Sequence, residues 1–82
     1  MEQLTLLDSR IIIRPKDMST QSIELSRYRE GTILLVGDAS PHLKAEDRVV
    51  YDSEASWISF DFDGIKDAKY FRNCDPILAK IG

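Results

Sequence analysis

The sequence predicts an all-β fold, a small β-barrel, and three observations carry that prediction. Six short runs rich in β-branched and aromatic residues recur along the 82 residues, turn-forming residues separate most of them, and no long amphipathic helical pattern is present. The first and last runs, residues 10–14 (Arg-Ile-Ile-Ile-Arg) and 77–81 (Ile-Leu-Ala-Lys-Ile), stand at opposite ends of the chain and read as two halves of one sheet. Strands this short do not bury both faces alone, so the fold depends on neighbours.

Each element follows from its own residues. Ile11, Ile12 and Ile13 make the first run a strand. Residues 32–36 (Thr-Ile-Leu-Leu-Val) form a second apolar run fenced by Gly31 and Gly37, and residues 48–51 bring Val49, Val50 and Tyr51. In residues 57–62, alternation puts Ile58, Phe60 and Phe62 on one face and Trp57, Ser59 and Asp61 on the other. The first set is expected to face the core and the second a partly wet surface. Asp63-Gly64 then supplies a turn, because glycine accepts positive φ without steric cost, and the chain returns through residues 69–72 as a hairpin. Asp75-Pro76 fits either a turn or a helix start, since Asp at an N-cap before Pro is a helix-start signal. Six residues follow Pro76, which rules out a long helix.

A chain of this size is one domain with a marginal core, burying about 60–65% of the surface its unfolded form exposes. Cys74 is the sole cysteine and His42 the sole histidine, which excludes an internal disulfide and a structural zinc set built from them. Oligomerisation is then the expected support. A formal net charge of -3 argues against nucleic acid as a main partner, because such binding rests on Lys and Arg neutralising phosphates. Residues 1–5 show neither the basic nor the apolar region of a signal peptide, and no apolar stretch has spanning length, so a soluble cytoplasmic protein with no membrane partner is expected.

Chemistry is poorly represented. His42 sits beside Pro41 in a turn with no evident nucleophile or orienting partner, and Cys74 reads as a packed thiol. Asp61 and Asp63 resemble the start of a calcium loop, but Gly64 falls fourth and Arg72 twelfth, where an EF-hand needs glycine sixth and glutamate twelfth. Trp57, Phe60, Phe62, Tyr70 and Phe71 could form a stacking platform, yet aromatics at this spacing among acidic residues read better as core. No catalytic residue, metal site or cofactor is assigned, and the chain is expected not to be an enzyme. Residues 16–30 are polar apart from Met18, Ile23, Leu25 and Tyr28, and form a candidate mobile loop that orders on a partner. The alternative is a further strand with Ile23 and Leu25 on one face.

In order and spacing, these runs resemble the GroES-type co-chaperonin family (chaperonin 10) over nearly the whole chain. Leu7-Asp8-Ser9-Arg10-Ile11-Ile12-Ile13 resembles its opening L-x-D-R-V-x-V, and Gly31-Thr32-Ile33-Leu34-Leu35-Val36-Gly37 its G-x-V-x-x-V-G. Leu43-Lys44-Ala45-Glu46-Asp47-Arg48-Val49-Val50-Tyr51 resembles V-K-x-G-D-x-V-x-F. Asp63-Gly64, Lys69-Tyr70-Phe71 and Asp75-Pro76-Ile77-Leu78-Ala79 follow the family's D-G-E-E-Y and D-I-L-A ending.

The resemblance implies a single GroES-like domain, an irregular β-barrel, whose terminal strands pair with those of adjacent subunits in a heptameric ring. It implies that Ile11 and Ile13 meet Ile77, Leu78 and Ile81 of a neighbour. It further implies an ATP-bound chaperonin ring as partner, docked through Ile23, Glu24 and Leu25 with Met18 as a secondary contact. The same likeness covers a second use, a structural or assembly protein without a chaperonin.

Departures from the pattern bear on both uses. Ser9 replaces an aspartate, Glu46 a glycine, and Pro76 interrupts D-I-L. The 16–30 loop lacks the glycines that flank the family's docking tripeptide, and Glu24 is costly to bury unpaired. Only five residues, 38–42, occupy the place of the family's roof hairpin, which implies a lid open at the top.

Overall fold

The structure is a computed structural model and describes residues 5–16, 27–39 and 42–81. Among these the chain forms six strands: β1 (Ile11–Pro15), β2 (Tyr28–Val36), β3 (Arg48–Asp52), β4 (Ile58–Phe62), β5 (Ile65–Phe71) and β6 (Ile77–Ile81). They make one antiparallel sheet in the order β4-β5-β1-β2-β3-β6. The all-β class and each of the six expected runs are present. No ladder joins β4 to β6 among the described residues, so the sheet ends in two edges and barrel closure is not established.

The three consecutive isoleucines put β1 at the centre. Ile11 and Ile13 face a core with Ile33, Val49 and Tyr51, and all five are buried. Ile12, one residue out of phase, is buried on the opposite face, where its ladder partners are Leu35 and Tyr70. A strand buried on both faces reads as a continuous apolar run rather than as an alternation. Complete burial of a side chain of this size contributes about 1.5–3 kcal/mol.

On β4 the sequence expectation holds in part: Ser59 and Asp61 are exposed and Phe60 and Phe62 half-buried, but Trp57 and Ile58 exchange roles. Ser59 is opposite Lys69, which is opposite the core residue Ile13, and Trp57 packs on the core cluster. Ile58 is opposite Tyr70, which is opposite Ile12, and remains 59% exposed. The alternation was legible, but the aromatic indole, rather than the isoleucine, goes inward. Phe60 and Phe62 stack edge-to-face at 5.9 Å and share the face of Ile58.

Positive φ at non-glycine residues falls in turns at Asp8, Glu46 and Asp63, and inside β5 at Asp67 (φ 61°), where the β4–β5 register is irregular. Asp63 (φ 51°) and Gly64 (φ 82°) form the two-residue β4–β5 turn between Phe62 and Ile65, with the pair of positive φ values that the right-handed twist of a hairpin favours. Lys44 and Asp47 close the turn before β3, with the Asp47 amide donating to the Lys44 carbonyl at 3.2 Å. Its third residue, Glu46, has φ 76°, so the position that the family pattern fills with glycine adopts the left-handed conformation here without one. Residues 74–77 form a turn rather than a helix start, with the Ile77 amide donating to the Cys74 carbonyl at 3.0 Å.

Candidate functional site

The β1–β2 connection is clamped at both ends by paired charges. The Lys16 amide donates to the Glu30 carbonyl at 3.0 Å, and the Lys16 ammonium meets the Glu30 carboxylate at 3.3 Å. Arg48 donates to the other Glu30 oxygen at 2.9 Å. Nine residues make β2 long enough to run past β1, and its polar start, Tyr28-Arg29-Glu30, pairs with Val50–Asp52 of β3. The connection is therefore shorter than the 16–30 loop read from composition, because residues 28–30 belong to a strand. Met18, Ile23, Glu24 and Leu25 lie outside the described residues.

Arg27 closes the other end. Its Nε and Nη2 reach the two Asp52 carboxylate oxygens at 3.1 and 2.6 Å, a fork that matches carboxylate geometry. The Ser53 amide and hydroxyl both donate to the Arg27 carbonyl, at 2.7 and 2.6 Å. These contacts shift the titrations. Hydrogen bonding from Arg27 holds Asp52 below its ordinary carboxylate range, the bond from Arg48 does the same for Glu30, and Asp52 raises Arg27. Burial pushes the Tyr51 phenol up.

A second feature is the β6 edge. β6 pairs with β3 on one side, and its other side has no partner among the described residues. A bulge in the β3–β6 ladder leaves Leu78 without an opposite residue and 53% exposed. Ile77 packs on the core cluster, and Ile81 is half-buried. A groove of about 610 Å³ runs beside this strand, lined by His42, Leu43, Lys44, Cys74, Leu78 and Lys80. The Cys74 thiol approaches the Ser9 carbonyl at 3.2 Å, which brings the stretch before β1, with exposed Leu7, close to the start of β6.

Ile11 and Ile13 do not belong to that edge. They are at 0% exposure within their own chain, and β1 is an interior strand hydrogen-bonded to β5 and β2. Their expected contact with a neighbour's β6 is corrected accordingly: a run of three β-branched residues marked the centre of the sheet and not its rim. Leu78, expected at the subunit interface, is exposed on this edge, and Leu7 is an exposed apolar side chain near it that sequence reading did not single out.

The fold and these two features define a small all-β protein with a clamped strand connection and an unpartnered sheet edge. No protein-family model matches the chain, and no curated protein matches it. Among the described residues, no group of three or more His, Cys, Asp or Glu side chains converges as a metal site, and no helix is long and apolar enough to cross a membrane.

Proposed function

We propose that this chain is a subunit of a ring-forming co-chaperonin that caps an ATP-bound chaperonin and assists protein folding. The observation that carries the reading is the clamped β1–β2 connection. Lys16 and Arg27, the described residues on either side of residues 17–26, are each held by a carboxylate, and they flank the position where the family resemblance puts the docking loop. Ile23 and Leu25, with Glu24 between them and Met18 nearby, would make the contact. Weak docking per subunit suffices, because each contact after the first is intramolecular in a ring. ATP hydrolysis would belong to the partner, and the ring itself would need no cofactor.

The heptameric ring would form along β6. An exposed edge strand offers unpaired N–H and C=O groups to another chain, and Leu78, Ile77 and Ile81 supply its apolar side chains. The residues preceding β1, rather than Ile11 and Ile13, would meet it from the neighbour. The expected setting is the cytoplasm.

A second reading, a GroES-like fold serving as a structural or assembly protein, is favoured by the short connection between β2 and β3 and by the absence of glycine from residues 16–30. Capture of the chain by an immobilised chaperonin with and without ATP separates the two. ATP-dependent capture that is lost in Ile23→Ser/Leu25→Ser supports the cap. Capture that survives the double change moves the contact elsewhere, and ring formation without any capture supports the assembly protein.

A further inference from the structure

We propose that the open end of the core face, between β2, β3 and β5, is a binding site for a small oxyanion, a phosphate ester or a carboxylate. A cavity of about 360 Å³ opens there, lined by Lys16, Arg29, Tyr51, Ser53, Asp67 and Lys69. Strand register explains the convergence. Arg29 is opposite Tyr51 across the β2–β3 ladder, and Lys69 is opposite Ile13 across the β1–β5 ladder, so both cations stand on the face that carries the hydrophobic core.

The charge at this end is not balanced locally. Lys16 is committed to Glu30 at 3.3 Å. Arg29 and Lys69 remain against Asp67, and no ion pair joins Asp67 to either of them among the described residues. The sign is opposite to that of the protein as a whole, whose formal net charge is -3. An excess of cations at one concave end of an acidic protein selects an anion.

Arg29 supplies the specific observation. Its Nε is buried and has no hydrogen-bond partner. A buried guanidinium N–H without an acceptor is unfavourable, and native structures place an acceptor or a ligand at such donors. An oxyanion accepts two parallel N–H bonds from a guanidinium edge, and its charge makes them roughly twice as strong as bonds to a neutral acceptor. The Lys69 ammonium donates to Ser59 Oγ at 2.9 Å and retains two further N–H groups for the same anion. Pro15 and the Tyr51 ring provide the apolar wall.

Titration of inorganic phosphate, and separately of acetate, into the isotope-labelled chain at constant ionic strength tests the site through the Arg29 Nε–H resonance. A saturable shift of that resonance is expected, and the anion that binds more tightly identifies the ligand chemistry. Arg29→Lys keeps the charge but removes the Nε donor, and Lys69→Gln removes a charge at a partly exposed position. Each should weaken binding about tenfold, while Lys44→Gln in the turn before β3 leaves it unchanged. If Arg29→Lys perturbs the fold, Lys69→Gln carries the comparison. Absence of a saturable shift with either anion, or equal affinity in the wild type and Lys69→Gln, overturns the proposal.

Discussion

Trp57 Nε1 donates a hydrogen bond to the backbone carbonyl of Asp52 at 2.7 Å. Trp57 precedes β4, an edge strand, whereas Asp52 ends β3, which lies on the far side of β5, β1 and β2. The same indole meets the Tyr51 ring edge-to-face at 5.4 Å and the Phe71 ring at 5.3 Å. Residues 53–57 already link the end of β3 to the start of β4, and this side chain pins the resulting curl of the sheet against the core. Trp57→Phe keeps part of the packing but removes the donor. It should cost about 1–2 kcal/mol in urea unfolding, and an unchanged midpoint would assign the curl to the other core residues.

Gly37 approaches the chain before β1 so closely that a Cβ would stand 1.9 Å from the Asp8 carbonyl oxygen. Its amide donates to the Arg10 carbonyl at 2.9 Å, so the backbone cannot retreat without losing a bond. Gly37→Ala is expected to cost about 3 kcal/mol by overpacking. Gly64→Ala, at a site with open space but φ 82°, should cost about 1 kcal/mol through backbone conformation alone. Thermal unfolding of the two variants should rank them in that order.

Glu46 offers the opposite change. At φ 76° it holds a left-handed conformation that disfavours a Cβ, and Glu46→Gly relieves it. A gain of about 1 kcal/mol, read as a rise in melting temperature of roughly 4–8 °C, is expected. A fall would mean that the Glu46 side chain contributes more than its backbone costs.

Much of the fold was legible because its strands are local runs of β-branched residues, and the Asp63-Gly64 turn carries its own chemistry. Three things depended on partners outside their own run. Alternation in residues 57–62 defined two faces but not which one meets the core, since Trp57 chooses its side by reaching Tyr51 and Asp52. The polar start of β2 has no apolar pattern and is a strand because β3 pairs with it. The convergence of Arg29 and Lys69, which stand about 40 residues apart in sequence, arises from the registers of two separate ladders, which no local motif announces.

The clamp on the β1–β2 connection should respond to acid. Glu30 and Asp52 titrate below their ordinary values because of Arg48 and Arg27 respectively. A carboxylate with a folded pKa below its unfolded one stabilises the fold above the unfolded value, near pH 4, and that contribution is lost as pH falls through the folded value. Intrinsic-rate-corrected amide exchange at Lys16 and Ser53 should therefore be flat from pH 7 to 5 and show loss of protection below about pH 4. Asp52→Asn should remove the acid dependence at Ser53 while leaving that at Lys16. Identical acid profiles in the variant and the wild type would place the cause elsewhere.

The central claim, that the chain is a ring-forming chaperonin cap, is tested most directly by native mass spectrometry of the 9.4 kDa chain mixed with a chaperonin in ATP. The account predicts an ATP-dependent complex carrying seven copies of the chain on one chaperonin ring, lost when ATP is omitted. A chaperonin of unchanged mass in ATP, with the chain flying as a monomer, would contradict it.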